Sequence, residues 1–598
     1  MILNRIKSLL RSKLDTLYFF YRYIGSKIFI LLLFNLTMVL FDSVGLSLFV
    51  PLLQIGDSGA VTPNDKLTRF TVDVFEFFGL PFSTLSLLLI IALVFLLKSF
   101  VVYFGLQYYK RTLRLMTRDI RVELALAVQN LSFKEFTLTD VGRMQNSLLG
   151  EAQVVVSACS SYLDAIKHGM IIGVYVTFAF WLDWRFSLLI VSGGIVTNFA
   201  YRGFYSKTQE LSRKITRNNH VFGGLVVELV NHFKYLKATG RNEKFIRNMV
   251  AELEKLTKRQ IEIGRLGALL SAIREPMLVI VICAAISVHV MLVGASLSSM
   301  MIVLILYYRA LGYIISMQAA WNNYLASSGT LENIIDYKKY LKQHQILPVQ
   351  GRNIDEVKSI SVSNLSLQYG DFRVLDDISI SISKNESIAF VGESGSGKTT
   401  LVNVLAGLIP ASHGNVYING IPLEECDTST YNARIGYVSQ EPTIFNADFF
   451  DNVSFWAERT EENLNKFWQV VEMCSIKSFI ESVPNRESAM LGNNGLNISG
   501  GQKQRISIAR ELYRDIDVLF LDEATAALDS ETEKEIRDSI QSLQGKLTIV
   551  SIAHRLSTIM SADKIYLMEK GRVVAHGRFD ELKEKSEYFA KISQLQGL

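Results

Sequence analysis

Long apolar runs crowd the first 320 or so of this chain's 598 residues and then stop. Segments of about 20 apolar residues, the length a helix needs to cross the hydrocarbon of a bilayer, fit at 28–53, 86–108, 165–183, 185–206, 275–294 and 298–318. Beyond about residue 355 the pattern changes to short alternating strands such as Ser359-Ile360-Ser361-Val362. A chain divided in this way has to fold in two solvents. The 49% hydrophobic content and mean hydropathy of +0.23 follow from that division and fit a protein with a membrane part.

Six crossings return the chain to its starting side, and the basic residues say which side that is. Lys and Arg concentrate in the N-terminal segment, in 110–134 and in 207–265, close to membrane ends, so these regions belong in the cytoplasm. The segment 54–85 carries Asp57, Asp65, Asp73 and Glu76 against Lys66 and Arg69, and the tight link Trp181-Leu182-Asp183-Trp184 carries interfacial aromatics. Both fit the outer side. The net charge of +5 clusters around apolar segments and forms no basic stripe with interleaved aromatics, which points away from nucleic acid. Cys159, Cys283, Cys426 and Cys474 show no short spacing, so neither a zinc site nor a disulfide framework is indicated.

The expected domains are an N-terminal amphipathic segment at 1–27, a transmembrane domain at 28–340, a linker at 341–357 and a soluble α/β domain at 358–598. In the first of these, Leu9, Leu10, Leu14, Phe19 and Phe20 are available to lie on lipid, the alternative being a flexible basic tail. The cytoplasmic connections 109–164 and 207–272 contain no Pro and show helical apolar spacing, for example Leu225, Leu229, Phe233 and Leu236, and read as helical extensions. Charges inside the apolar runs are costly in lipid and should face a cavity or one another: Asp42, Lys98, Arg274, Glu275 and Arg309. Arg274 and Glu275 read as a helix-end pair. Asp42 and Arg309 fit equally a polar substrate cavity and an ion pair between helices.

In the soluble half, Ser387-Ile388-Ala389-Phe390-Val391 runs into Gly392-Glu393-Ser394-Gly395-Ser396-Gly397-Lys398-Thr399-Thr400 and then a helix, the strand–loop–helix setting of a P-loop. Glycines there let backbone amides approach phosphates. Lys398 is placed to reach the β- and γ-phosphates, and the Thr399 hydroxyl to bind Mg²⁺. Val518-Leu519-Phe520-Leu521 reads as a buried parallel strand with Asp522 and Glu523 at its carboxyl end. Downstream of the P-loop stands Ile498-Ser499-Gly500-Gly501-Gln502-Lys503-Gln504-Arg505, a Ser-Gly-Gly turn whose amides can form a second phosphate cradle.

This ordered set resembles the nucleotide-binding domain of ATP-binding cassette (ABC) proteins, and with six preceding apolar segments the chain resembles an exporter half-transporter over essentially its whole length. The resemblance implies an α-helical membrane domain with six transmembrane helices followed by an α/β P-loop ABC ATPase domain. It also implies ATP and Mg²⁺ as cofactors and a second half-transporter as partner. Asp522 would hold Mg²⁺, Glu523 would orient and deprotonate the attacking water, and Gln440 would link Mg²⁺ and that water to the membrane domain. His554 would contact the γ-phosphate, Tyr369 would stack on adenine, and Ser499, Gly500, Gly501 and Gln502 would complete the partner's ATP site. Asp529 matches the loop that crosses to the partner. Taken alone, Tyr369 is equally a strand-edge tyrosine and His554 a structural one. In the same branch, short coupling helices join the cytoplasmic extensions, and these are expected near 130–138 and 214–226; Gly223–Asn242, with Glu228, Lys237 and Gly240, is similar to its second cytoplasmic loop.

Three departures stand out. Gly492-Asn493-Asn494-Gly495 replaces a Gly-Glu-Arg-Gly run, Ile498 replaces a Leu, and Ala526-Ala527-Leu528-Asp529 lacks a Ser. The first puts the charged contact to the partner's coupling loop in doubt, the other two remove no phosphate ligand, and the intact catalytic positions favour a homodimer. The expected location is the bacterial inner membrane, with the N-terminus and ATPase domain cytoplasmic. The expected function is ATP-driven export or flipping of an amphipathic, lipid-linked substrate. Asp42-Ser43-Val44-Gly45-Leu46-Ser47, Pro51-Leu52-Leu53 and Tyr307-Tyr308-Arg309 are similar to the branch that flips lipid-linked oligosaccharides. Gly45, Ser47 and Pro51 equally serve helix packing and a kink. Flipping of ordinary lipids and export of drugs or peptides compete. A soluble ABC ATPase would lack the apolar segments, an importer would be arranged differently, and the segment before residue 28 is too short for a peptidase domain.

Overall fold

The computed structural model describes residues 16–49, 66–77, 79, 81–182, 184–293, 297–346, 351–370, 372–492, 495–523, 530–553, 555–556 and 559–595. Two compact units emerge, one from the chain up to Leu131 together with Leu138–Gln345, the other from Ser132–Thr137 together with the chain from Ile346 onward.

In chain order the helices begin with α1 (Lys27–Ser47), α2 (Lys66–Phe77), α3 (Thr84–Gln129), α4 (Phe133–Leu138), α5 (Val141–Asn146), α6 (Ala152–Leu182), α7 (Trp184–Asn231), α8 (Phe233–Ala238), α9 (Asn242–Val293) and α10 (Leu297–Gln343); α4, apart from Leu138, belongs to the second unit and the others to the first, which is helical. Among the described residues three helices are long and apolar enough to cross a membrane, at Lys27–Gly45, within Thr84–Gln129 and within Asn242–Val288. Helix α3, at 46 residues, is about 69 Å long. That is over twice the ~30 Å hydrocarbon thickness, so its charged second half extends well beyond the apolar run. Ser83 caps its start by accepting a hydrogen bond from the Ser86 amide at 3.3 Å. Helix α1 packs along α3, α6 along α10 and α7 along α9.

Three expectations change here. Residues 16–24 are helical, but Phe20 and Ile24 are buried in a protein cluster, Phe20 against Tyr162 with ring centroids 5.5 Å apart, so Phe20 does not face lipid. Leu9, Leu10 and Leu14 lie outside the described residues. Segment 214–226 is no separate coupling helix, because α7 runs through it unbroken and the short helix comes later, at Phe233–Ala238. α5 packs directly onto this stretch, Gly142 coming so near α7 that a Cβ there would stand 2.6 Å from the Gly224 Cα. Arg274 and Glu275 are not at a helix end either, since α9 continues past both and past Pro276 to Val293.

Asp42 is almost fully buried, at 2% exposure. Its carboxylate accepts hydrogen bonds from Lys98 and from the Tyr175 hydroxyl, the latter at 2.6 Å, and lies 3.7 Å from the Arg309 guanidinium. Four helices therefore meet on one carboxylate.

The second unit carries two sheets. An antiparallel sheet has the order β2 (Phe372–Ser383), β1 (Ser359–Tyr369), β4 (His413–Ile418), β5 (Ile421–Pro422). The other has the order β10 (Arg572–Gly577), β9 (Lys564–Glu569), β3 (Ser387–Val391), β8 (Thr548–Ile552), β7 (Val518–Asp522), β6 (Ile435–Val438). Strands β9, β3, β8, β7 and β6 are parallel, and β3 and β7 are buried at every residue, as a sheet covered on both faces requires. The helices used below are α11 (Lys398–Leu405) and, further along the chain, α12 (Gly500–Tyr513).

Candidate active site

Strand register brings the site together. Phe390 of β3 pairs with Ile552 of β8, and Ile552 pairs with Asp522 of β7, so the carboxyl ends of three neighbouring strands stand level. Ligands of open α/β sheets bind at that edge. On the other side of β7, Val438 pairs with Leu521. Two residues further along each strand come Gln440 and Glu523, and the Gln440 Nε2 donates to Glu523 Oε2 at 2.6 Å. Glu523 itself takes a left-handed backbone with φ of 50°, a conformation that costs a non-glycine residue energy and is concentrated at functional sites.

The loop after β3 turns on glycine. Gly392, Gly395 and Gly397 have φ of 153°, 83° and 98°, and a Cβ on Gly392 would sit 2.1 Å from the Met568 carbonyl oxygen. Ser394 lies in this loop, and Lys398, Thr399 and Thr400 form the first turn of α11. The Lys398 ammonium donates to the carbonyls of Gly392 and Glu393, both at 2.9 Å, and is 5% exposed. Burial pulls its pKa below the ordinary lysine value, opposed by the charges of Glu523 and Asp522. Across the crevice the Thr399 hydroxyl donates to Asp522 Oδ1 at 3.3 Å. Burial holds the Asp522 carboxyl above the usual carboxylate range, with Glu523 adding repulsion. A hydroxyl and a desolvated carboxylate converging on one point suit a small hard cation that completes its shell with phosphate oxygens and water. The described residues hold no cluster of three or more His, Cys, Asp or Glu side chains that would serve a metal without such help.

Tyr437, a residue the motif reading passed over, belongs to this crevice. Its hydroxyl donates to Asn403 Oδ1 at 3.0 Å and reaches Asp522 Oδ2 at 3.5 Å. The available signal was a polar-tipped aromatic next to Val438 on the strand that leads to Gln440. Tyr369 closes β1 and is 36% exposed; Lys134, in the stretch that belongs to the same unit, stands over its ring at 5.6 Å.

Ser499, Gly500, Gly501 and Gln502 form a different feature, the N-terminus of α12. Ser499 caps that helix by accepting from the Gln502 amide at 3.3 Å, while the Ser499 amide donates to the Gln502 side chain at 2.8 Å. Among the described residues no hydrogen bond joins this turn to the Gly392–Thr399 loop. His554, Asp529, Asn493 and Asn494 lie outside the described residues.

The ABC transporter transmembrane region family matches residues 27–314, and the ABC transporter family matches residues 375–526. The chain is 29% identical to the heterocyst differentiation ATP-binding protein HepA of a Nostoc strain, over 83% of this chain and 81% of that protein. It is 27% identical to a multidrug resistance ABC transporter ATP-binding and permease protein of Lactococcus lactis, over 80% and 81%. It is 26% identical to an ATP-dependent lipid A-core flippase of Francisella tularensis, over 79% of both. Among solved structures, a bacterial Atm1-family ABC exporter with ATP bound superposes with a TM-score of 0.78 at 20% identity, covering 97% of this chain and 99% of that one.

Proposed function

Because this chain belongs to the ABC transporters, as a helical membrane domain followed by an ABC ATPase domain, we propose that it flips or exports an amphipathic, lipid-linked molecule out of the cytoplasmic leaflet of a bacterial inner membrane. Lipid-linked oligosaccharide is the class favoured. It is an ATP-hydrolysing translocase, and the observation that carries the catalytic reading is the level row of strand ends that joins Gln440 to Glu523 and Thr399 to Asp522.

In this proposal two copies of the chain work together. Lys398 leaves the carbonyls of its own loop and meets the β- and γ-phosphates of ATP, while amides of the Gly392–Gly397 loop and the side chains of Thr399 and Thr400 cradle the rest. Thr399 and Asp522, with Gln440 nearby, would hold Mg²⁺, which would supply charge neutralisation at the phosphates. Glu523, held by Gln440, takes a proton from the attacking water, and His554 supports the γ-phosphate. Tyr369 stacks on adenine. The turn Ser499–Gln502 and Asp529 act on the partner's nucleotide. Closure of the two ATPase domains would reorient the helices from inward to outward access.

Two features support the substrate class. One relative is named a lipid A-core flippase. Within the helices, Lys98 and Arg309 place two cations on the single carboxylate of Asp42, an excess positive charge suited to an anionic headgroup. The multidrug names of other relatives make drug export the second reading. The test is ATP-dependent movement in proteoliposomes across lipid-linked oligosaccharides, phospholipids and drugs. Movement of the first class, lost in Glu523→Gln with ATP binding retained, is expected; movement of another class alone overturns the substrate, and brisk hydrolysis by Glu523→Gln overturns the general base.

A further inference from the structure

A cavity of about 300 Å³ lies among α1, α3 and α6, with no connection to the nucleotide chemistry. Its walls are mainly apolar, from Ile28, Phe34 and Met38 of α1 and from Val102 and Leu106 of α3. Close helix packing shapes it: a Cβ on Gly105 would stand 3.3 Å from the Phe34 Cβ. The charged groups gather at one end, while Asn35 places one amide on the α1 wall between Phe34 and Met38. There the Lys167 ammonium pairs with Asp164 at 3.2 Å, both partly exposed, and the Tyr109 hydroxyl is bonded to Ser160 at 2.8 Å.

Length and polarity together identify what fits. From Ile28 to Met38 the wall runs about 15 Å at 1.5 Å per residue. That is one leaflet of a ~30 Å hydrocarbon core. Ile28, Tyr109 and Lys167 all lie toward the cytoplasmic ends of their apolar runs, given the basic loops that follow or precede them. A slot one leaflet deep, mainly apolar along its length and charged at the cytoplasmic rim, matches a single phospholipid of the inner leaflet. The rim carries one anion and one cation. An ethanolamine headgroup presents the complementary pair, its phosphate to Lys167 and its ammonium N–H groups to Asp164. A choline headgroup has no N–H to donate, and a glycerol headgroup offers nothing cationic to Asp164.

We infer that this cavity is a binding site for one resident phosphatidylethanolamine, an acyl chain in the slot and the headgroup on Asp164 and Lys167. The lipid is a fixed component and not the transported molecule, so its count does not depend on transport or on ATP.

Native mass spectrometry of the full-length protein, extracted from bilayers of equal parts phosphatidylethanolamine, phosphatidylglycerol and phosphatidylcholine, tests this. Wild type should retain one phosphatidylethanolamine per chain, enriched about tenfold over the other two. Leu106→Trp, which fills the slot from an exposed rim position, should lose it. Asp164→Asn and Lys167→Gln should keep a lipid but bring the enrichment close to unity, and these isosteric changes remain informative should the tryptophan variant misfold. Retention in the proportions of the bilayer, enrichment unchanged in the two headgroup variants, or no retained lipid because a second copy of the chain covers the slot would each overturn the inference.

Discussion

Asp522 carries two opposed demands. In the proposed mechanism it helps hold a cation, yet burial raises its carboxyl pKa in the folded, nucleotide-free protein. A folded state that binds this proton more tightly than the unfolded chain has the group's contribution in full below the unfolded pKa and loses it as pH rises through the folded one. Asp522→Asn should therefore raise the melting temperature of nucleotide-free protein more near pH 7 than near pH 4, where the unfolded chain already holds about half of this proton. ATPase activity should fall at least ~100-fold in the same variant. Melting curves at the two pH values check the first half, and a gain that is equal at both would sink the electrostatic account. Tyr437→Phe is a gentler probe. It removes the hydroxyl that lies between Asn403 and Asp522, so a loss of about tenfold or less in turnover, with the fold intact, is expected in steady-state assays. The P-loop and the Asp522–Glu523 pair were legible as local motifs, because phosphate chemistry needs a few residue types within a short stretch. Tyr437 was not, because its role depends on which strand stands beside β7.

Among the elements, helix boundaries were read least well. Apolar periodicity locates a membrane run but is silent on where a charged, helical continuation ends, so the second short helix was expected near 214–226 and stands at Phe233–Ala238. A turn of π-helix at Ser147–Glu151 shows the same dependence on neighbours. Its last residue, Glu151, is 4% exposed and accepts hydrogen bonds from Ser147 at 2.8 Å and from the Asn333 amide at 2.8 Å, and pairs with the His220 ring at 2.7 Å. This carboxylate ties α6 to α7 and α10. Glu151→Ala should destabilise the helical unit by about 1–3 kcal/mol, because it leaves the buried Ser147 hydroxyl and the half-buried Asn333 and His220 without their acceptor. Glu151→Gln should cost less. Thermal unfolding in detergent with a helix-sensitive signal checks both, and an unchanged midpoint for the alanine variant would show that the tie bears no strain.

For the whole molecule, the decisive matter is that the two proposed phosphate cradles occupy separate elements, β3–α11 and the N-terminus of α12. The dimer proposal makes a complementation test available. Lys398→Ala and Ser499→Arg chains should each fail to occlude ATP alone, while a mixed dimer regains one intact site and traps about one ATP per two chains. Absence of any recovery in purified mixed dimers would place both cradles in the same chain. The division into a membrane half and an ATPase half could be read directly, since hydropathy and the order of motifs are properties of the linear chain and of the solvent each part must meet. Register, burial and side-chain meeting could not. That Gln440 reaches Glu523, that Phe20 turns into protein, and that Asp42 gathers Lys98, Tyr175 and Arg309 all depend on contacts between residues tens to hundreds of positions apart, and such contacts leave no periodic trace in the amino-acid order.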